Sequence, residues 1–137
     1  MRVLIYGCNR LSTNLVKDLD GKDNEITVLG DDRNCLEEIS SYASVRVILT
    51  AEPMMQDYLQ EANIGHCDVL LAISGNDHQN LLVAQIAKHI YNVPKVVCHL
   101  DSPQLQVMYA ALRLDVVGYS FGLLQDVRQI IQRPINN

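Results

Sequence analysis

The sequence predicts an α/β fold with a parallel six-stranded sheet and helices on both faces. Short runs of β-branched and aliphatic residues recur along the 137 residues and alternate with longer segments of helical periodicity. Several runs are continuously apolar, as expected for strands that are buried on both faces of a parallel sheet. Short connections imply right-handed crossovers. Six such units match the doubly wound Rossmann arrangement, with strand order 3-2-1-4-5-6.

The strand predictions rest on these apolar runs, of which VLIY, VLLAI and VVC are the clearest. Six strands are predicted, at Arg2–Tyr6, Glu25–Leu29, Val45–Leu49, Asp68–Ile73, Lys95–His99 and Asp115–Tyr119.

Apolar residues spaced by three or four positions predict a helix after each of the first five strands. The segment Asn80–Tyr91 is apolar enough to be covered on most sides, and Asp101-Ser102-Pro103 is a typical helix start. The stripes are Leu11/Leu15/Leu19, Leu36/Ile39, Met55/Leu59/Ala62, the segment Asn80–Tyr91, and Leu105/Met108/Leu112.

The C-terminal segment differs from the rest of the chain. We expect one domain over residues 1–120 and a separate helix within 121–137, where Leu124, Val127, Ile130 and Ile131 form an apolar stripe. This helix follows the last strand, so no further strand remains for it to cover.

Composition limits the classes of partner. A net charge of −5 without any basic run argues against nucleic acid and against direct binding to anionic lipid. Apolar residues make up 48% of the chain, enough for a sizeable core, but no apolar stretch reaches membrane-spanning length.

The four cysteines, Cys8, Cys35, Cys67 and Cys98, lie about thirty residues apart. This spacing predicts neither a metal site nor a small disulfide scaffold. Cys67 and Cys98 lie beside or inside apolar runs and are interpreted as small buried hydrophobic residues. Free thiols suit a reducing cytosol.

The segment after the first strand has the position of a phosphate-binding turn. A dinucleotide-binding G-x-G-x-x-G motif stands there in proteins that carry it. Here Gly7 supplies the first glycine, while Asn9 and Ser12 replace the other two. Because asparagine tolerates positive φ, we expect Asn9 to keep the backbone shape of the turn. The turn then opens the first helix at Arg10-Leu11.

Arg10 stands at the start of that helix, where backbone N–H groups and the helix dipole favour anions. It is interpreted either as a phosphate clamp or as a solvated surface arginine. Asp31 and Asp32 follow the second strand, where an acid typically binds the adenosine ribose and disfavours a 2′-phosphate. Asp32 is also a candidate cap of the second helix.

The polar loop Ser74–Asn80 follows the fourth strand. Because ligands of open α/β sheets lie beyond the carboxyl ends of the strands, near the reversal of strand order, this loop is expected to face the first turn. Ser74, Asn76 and Asp77 are also ordinary capping candidates, and the two roles are compatible.

No catalytic residue is predicted. The four histidines lack a nucleophile elbow, an H-E-x-x-H pair or a triad partner, and no G-x-x-x-x-G-K-[ST] loop is present. His78 and His99 are expected to approach the ligand cleft, His66 to be exposed at the far end of the sheet, and His89 to lie late in a helix.

Taken together, these residues resemble the TrkA-N domain family, also called RCK domains (regulators of potassium conductance). The likeness covers Met1 to about Ser120. Glu52 stands where the family usually has Asp, His99 where it often has Arg, and Gly30 where it often has an acid. The matching positions are Gly7 and Arg10 in the first turn, Asp31 and Asp32 after the second strand, and Ser74, Asp77 and Asn80 in the polar loop.

The resemblance implies a cytoplasmic regulatory module of a membrane-embedded potassium channel or transporter, placed at the inner face of the membrane through that partner. Such modules bind NAD(H) or an adenine nucleotide (AMP, ADP or ATP). They assemble as dimers or larger rings, in which the helix within 121–137 crosses to a neighbour. The chain is then a stand-alone version or one domain of a longer product.

Two alternatives remain open at the level of sequence. The first is a small NAD-dependent oxidoreductase or its isolated cofactor domain. The second is a degenerate module that only oligomerises and binds no ligand. The loss of glycine at positions 9 and 12 and of the Arg at position 99 leaves the choice of nucleotide open, including no ligand at all.

Overall fold

The computed structural model describes residues 1–42, 44–50, 55–110, 115–117, 127 and 130–132. Its centre is a six-stranded sheet in which all neighbouring strands are parallel. The strands are β1 (Arg2–Tyr6), β2 (Glu25–Gly30), β3 (Val45–Leu49), β4 (Val69–Ala72), β5 (Lys95–His99) and β6 (Asp115–Val117).

The strand order is β3-β2-β1-β4-β5-β6. This confirms the predicted Rossmann topology. The fourth strand is two residues shorter than predicted, because Asp68 and Ile73 lie just outside its ends. Their N–H groups still donate to the carbonyls of Arg2 and Tyr6, the end residues of β1. Residues 118–119 of the sixth prediction lie outside the described part of the chain.

Helices follow the first five strands, as predicted. Ile64–His66 adds a short 3₁₀ turn before β4, and Ile86–Ile90 continues α4 as a π-helical turn. The helices are α1 (Arg10–Leu19), α2 (Arg33–Ile39), α3 (Met55–Glu61), α4 (Asp77–Gln85) and α5 (Pro103–Ala110).

The core consists of two buried clusters, one on each face of the sheet. Alternate residues of β1 divide between them: Leu4 belongs to the first cluster, and Val3 and Ile5 to the second. All four residues of β4, Val69–Ala72, are buried, which is the burial on both faces that its continuous apolar sequence predicts.

The C-terminal apolar stripe contributes to the second cluster. Val127, Ile130 and Ile131 are buried there with Leu71 and Val97. These three residues therefore pack on the sheet, although no strand was expected to remain for this segment to cover. Leu124 and most of 121–137 lie outside the described residues, so the separate helix and its crossing to a neighbour stay predictions.

Two helices are less covered than their sequences predict. Leu82 and Ile90 are exposed within the segment Asn80–Tyr91, and Met108 of the α5 stripe is 63% exposed, beside Val107 at 76%. α5 packs beside β6 at the edge of the sheet. Within the described residues, no helix is both long and apolar enough to cross a lipid bilayer.

Candidate functional site

A cleft of about 500 Å³ opens at the carboxyl ends of β1 and β4, where the strand order reverses. We call it the switch-point cleft. It brings together seven of the residues that the sequence predicts for a ligand site. Its lining is Gly7, Cys8, Asn9, Arg10, Leu11, Asn14, Asp31, Ile73, Ser74, Gly75 and His99.

Gly7 allows the two loops of the cleft to meet. Its φ is +116°, a conformation that side-chain-bearing residues rarely adopt. A Cβ at this position would lie 2.6 Å from the Cα and backbone N of Ser74. At Gly7, the first turn and the end of β4 therefore approach each other backbone to backbone, which only glycine permits.

Asn9 and Ser12 stabilise the first turn through side-chain hydrogen bonds, which glycines at these positions would lack. Asn9 has an extended backbone, with φ −160°, so the expectation of a positive φ at this residue is wrong. The left-handed conformation falls on Gly7 instead. Asn9 caps α1: its Oδ1 accepts from the backbone N–H of Ser12 at 3.2 Å, and the Ser12 hydroxyl accepts from the Asn9 N–H at 3.3 Å.

The side chain of Asn9 also joins the turn to β4. Its Nδ2 donates to the carbonyl of Ile73 at 2.8 Å, and the Ser12 hydroxyl donates to the carbonyl of Gly7 at 2.6 Å. Ser12 is fully buried. The polar substitutions at the second and third glycine positions thus bind protein atoms and hold the turn in shape.

Arg10 and Leu11 begin α1, so their backbone N–H groups have no carbonyl partner within the helix. The Arg10 side chain is exposed at the mouth of the cleft. The start of α1 thus contributes two N–H groups without a helical partner and one exposed guanidinium to the lining of the cleft.

The two acids after β2 have different places. Asp31 lines the switch-point cleft. Asp32 does not; it caps α2, and its Oδ1 accepts from the N–H of Cys35 at 3.1 Å. Of the two sequence candidates for a ribose contact, the structure thus brings only Asp31 into this cleft.

Tyr6 is a neighbour of the site that sequence analysis missed. Burial raises the pKa of its phenol, and the nearby charge of Asp31 raises it further. The Tyr6 hydroxyl donates to Gln79 Oε1 at 3.1 Å, which links the end of β1 to α4. A strand-end tyrosine has no motif that would have identified it.

Asn80 is buried, and its side-chain amide links the loop after β4 to the end of β5. Its Oδ1 accepts from the N–H of Ser74 at 2.9 Å and from the Ser74 hydroxyl at 2.6 Å. Its Nδ2 donates to the carbonyls of Ser74 and His99, both at 2.9 Å. Asn80 therefore positions Ser74 and His99, which line the cleft, and does not line it itself.

Asp77 also binds protein groups. Its two carboxylate oxygens accept from the N–H groups of Asp101 and Ser102 at 2.9 and 3.0 Å. The cap of α4 is Asn76, whose Oδ1 accepts from the N–H of Gln79 at 3.0 Å. Asp77 thus fastens the start of α4 to the loop before α5, and it lies outside the lining of the cleft.

His99 is almost fully buried, at 4% exposure, and its Nε2 lies 2.9 Å from Asp101 Oδ1. His78, which was expected near the cleft, is exposed on α4 and does not line it. His66 is exposed in the 3₁₀ turn, as predicted. Glu52 lies outside the described residues.

The cysteines fall into two pairs. Cys67 and Cys98 are buried free thiols, as predicted, and burial raises the pKa of each to about 12. Cys8 and Cys35 form a disulfide, which the sequence analysis did not predict. Sequence spacing gave no sign of it, because the two residues meet only when the first turn and α2 come together at one end of the sheet.

The described residues also line a cleft beside the switch-point cleft and another at the opposite end of the sheet. A side cleft of about 520 Å³ lies between α1 and α2 and is lined in part by Thr13, Lys17, Asp32 and Cys35. An opposite cleft of about 550 Å³ lies at the amino ends of the strands, with Arg46 and His66 in its lining. Among the described residues, no group of histidines, cysteines and acids is arranged to hold a metal ion.

A parallel sheet in this strand order, with a cleft at the point of reversal, defines a Rossmann-type α/β domain. Within that class, the family model of the TrkA-N domain matches residues 3–119. The chain belongs to the TrkA-N domain family, as its sequence resemblance indicated.

Relatives in this family include proteins named Trk system potassium uptake protein TrkA. The one from Vibrio alginolyticus is 28% identical over 104 residues, which cover 76% of this chain and 22% of the relative. The one from Streptomyces coelicolor is 27% identical over 119 residues, covering 86% and 52%. The chain thus spans between about a fifth and about half of these relatives.

Solved structures share the fold at low identity. The Kef C-terminal domain of Shewanella denitrificans, in its AMP-bound form, has a TM-score of 0.72 and 14% identity and covers 97% of this chain and 83% of its own. The NAD(P)-binding domain of an exopolyphosphatase-related protein from Archaeoglobus fulgidus has a TM-score of 0.70 and 14% identity, covering 95% and 96%. The GsuK RCK domain has a TM-score of 0.68 and 13% identity, covering 86% and 25%.

Proposed function

We propose that this chain is a regulatory domain of a potassium transport system that binds NAD(H) or an adenine nucleotide in the switch-point cleft. One observation carries the proposal: Gly7, Arg10, Leu11, Asp31 and Ser74 line a single cleft at the reversal of strand order. This is where open α/β sheets bind their ligands.

The phosphate end of the ligand is assigned to the start of α1. The N–H groups of Arg10 and Leu11 and the positive end of the helix dipole favour an anion there. The guanidinium of Arg10 adds charge-assisted hydrogen bonds to phosphate oxygens. Because Asn9 already accepts from the Ser12 N–H, fewer donors remain than in a glycine-rich turn. This favours a small number of phosphate contacts.

The ribose end is assigned to Asp31. A carboxylate accepts hydrogen bonds from ribose hydroxyls and repels a 2′-phosphate, so NAD(H) and adenine nucleotides are favoured over NADP. The AMP-bound state of the Kef domain and the NAD(P)-binding description of the Archaeoglobus domain are consistent with this ligand class.

The regulatory role is supported by the family and by the names of its members. Relatives are named as potassium uptake proteins, and this chain corresponds to part of their length. We propose a membrane-embedded potassium transporter subunit as partner, contacted from the cytoplasm, and a role without catalysis. Regulation requires that the nucleotide bind one arrangement of the assembly better than another.

Calorimetry under reducing conditions tests the binding proposal with NADH, NAD, AMP, ADP and ATP as separate probes. We expect at least one to bind, and Arg10→Ala to weaken that binding by about tenfold or more, because a charge-assisted contact contributes roughly 1.5–3 kcal/mol. The matched control is Arg33→Ala, which removes an exposed arginine from the start of α2 that lines neither the switch-point cleft nor the side cleft.

The control should bind as tightly as the unmodified chain. Absence of binding for all five probes would contradict the proposal, and equal losses in Arg10→Ala and Arg33→Ala would contradict the assigned site. Consumption of NADH in the presence of a carbonyl compound would instead support an oxidoreductase.

A further inference from the structure

The Cys8–Cys35 disulfide joins the first turn, which lines the switch-point cleft, to α2, which lines the adjacent side cleft. Cys8 lies in the first turn, directly after Gly7, and Cys35 lies in the first turn of α2. The Cα atoms are 5.9 Å apart, although 27 positions separate the residues in sequence. The bond therefore fixes the distance between the turn and α2.

Gly30 makes room for this bond. A Cβ at position 30 would lie 2.7 Å from the Cβ of Cys8, closer than two such atoms approach. The space beside the end of β2 that a side chain at position 30 would need is thus taken by Cys8. Cys35 is held nearby: its N–H donates to Asp32, and its Sγ lies 3.9 Å from the carbonyl of Asn9.

The bond spans the boundary between two clefts. Cys8 lines the switch-point cleft and Cys35 lines the side cleft, while Asn9, Arg10 and Asn14 line both. With the bond intact, the turn and α2 are held together along this boundary. Reduction of the bond would remove this covalent limit on the distance between the turn and α2.

We propose that Cys8 and Cys35 are a thiol–disulfide switch whose oxidised form restricts the nucleotide site. The inference rests on the proposed function, since it assigns control to the same cleft. Asp31, the proposed ribose contact, lines the same cleft as Cys8 and lies two residues before α2. The disulfide therefore limits how far the turn and α2 can separate around a ribose at Asp31. The reduced form therefore binds the nucleotide more tightly.

The oxidant we assign is a small-molecule disulfide. The thiolate of one cysteine attacks it, which forms a mixed disulfide and releases one small thiol. The thiolate of the second cysteine then attacks the protein sulfur of the mixed disulfide and releases the second small thiol. Two protein thiols and one small disulfide thus give one protein disulfide and two small thiols. The protein loses two electrons, and the small disulfide gains them.

The other two cysteines do not take part in this exchange. Cys67 and Cys98 are buried, whereas Cys8 and Cys35 are partly exposed. Because the thiolate is the attacking species, a buried, protonated thiol reacts slowly. The chain thus contains one accessible pair and one inaccessible pair, which serve as internal controls for each other.

The test compares the full chain after treatment with dithiothreitol and after treatment with oxidised glutathione. Thiol titration of the denatured protein should find four thiols in the reduced sample and two in the oxidised sample. Mass spectrometry verifies that no glutathione adduct remains. Calorimetry with NADH, AMP, ADP and ATP then measures the affinity of each form. We expect the reduced form to bind about tenfold more tightly or better, a difference of roughly 1.4 kcal/mol.

Cys35→Ser removes the bond without altering the lining of the switch-point cleft. We expect its adduct-free oxidised and reduced preparations to have equal affinities, whereas Cys98→Ala should retain the difference between them. Equal affinities of the two forms of the unmodified chain would overturn the switch and leave the proposed function intact. So would four titratable thiols after oxidation. If neither form binds any probe, the proposed function fails, and the switch fails with it.

Discussion

At the scale of single residues, the site contains two kinds of polar side chain. Arg10 and Asp31 line the cleft and are exposed, and no hydrogen bond described for the site occupies their charged groups. Asn80 and Asp77 bind neighbouring loops through all of the contacts described above. A sequence motif cannot separate these two kinds, because both consist of polar residues at the ends of strands.

Gly7 gives the sharpest prediction at this scale. Gly7→Ala forces a side chain into a positive-φ conformation and places its Cβ against the backbone of Ser74. We expect a loss of more than about 2 kcal/mol in the free energy of unfolding, measured by urea denaturation. Gly75→Ala is the control, because a Cβ there meets nothing within 4 Å. Similar stability of the two variants would show that the first turn does not approach β4 so closely.

At the scale of elements, sequence patterns predict the strands and helices but not their ends or contacts. A continuous apolar run locates β4, which is buried at all four positions, because a strand buried on both faces must be apolar throughout. The apolar pattern does not show how much of a helix is covered: Met108 belongs to the predicted stripe of α5 and is nevertheless exposed. The Cys8–Cys35 pairing depends on two elements meeting in space, so spacing alone cannot supply it.

Substitution of Asp77 tests how α4 is joined to the loop before α5 at the carboxyl edge of the sheet. Asp77→Ala removes the acceptors of two backbone N–H groups at the start of the α5 segment. We expect a loss of about 1–3 kcal/mol in stability and faster amide exchange at Asp101 and Ser102. His78→Ala, on the exposed side of the same helix, should have little effect on either. Unchanged exchange in Asp77→Ala would mean that other groups hold this loop.

At the scale of the whole molecule, topology accounts for the site. Strand order brings the first turn and the loop after β4 together. The sequence predicts this order because its six alternating β-α units match the Rossmann arrangement. Oligomerisation and the role of residues 121–137 stay predictions. The exposed apolar residues of α5 are compatible with an assembly but do not identify its partner.

The buried thiols predict how global stability depends on pH. The pKa of Cys67 and of Cys98 is raised by burial from an ordinary value of 9.0 to about 12. Above about pH 9 the unfolded chain loses these protons while the folded chain keeps them, so stability falls as pH rises from 9 toward 12. Burial and the charge of Asp31 raise the pKa of Tyr6 above its ordinary value of 10.0, so Tyr6 adds a loss of stability in the same direction above about pH 10.

Thermal unfolding at about pH 8 and about pH 10.5 checks this sign. The unmodified chain should lose more stability over this interval than Cys67→Ala/Cys98→Ala, measured with the same treatment of the other two cysteines. An equal loss in both proteins would show that the two buried thiols do not carry the effect.

The central claim is that a nucleotide occupies the switch-point cleft, and amide NMR spectra of the reduced chain titrated with AMP and with NADH test it most directly. We predict that the largest shifts fall on Gly7, Arg10, Leu11, Asp31 and Ser74. The chemical shifts of amides in the opposite cleft, such as those of Arg46 and His66, should not change. Shifts centred on that opposite cleft, or no shift with either nucleotide, would contradict the account.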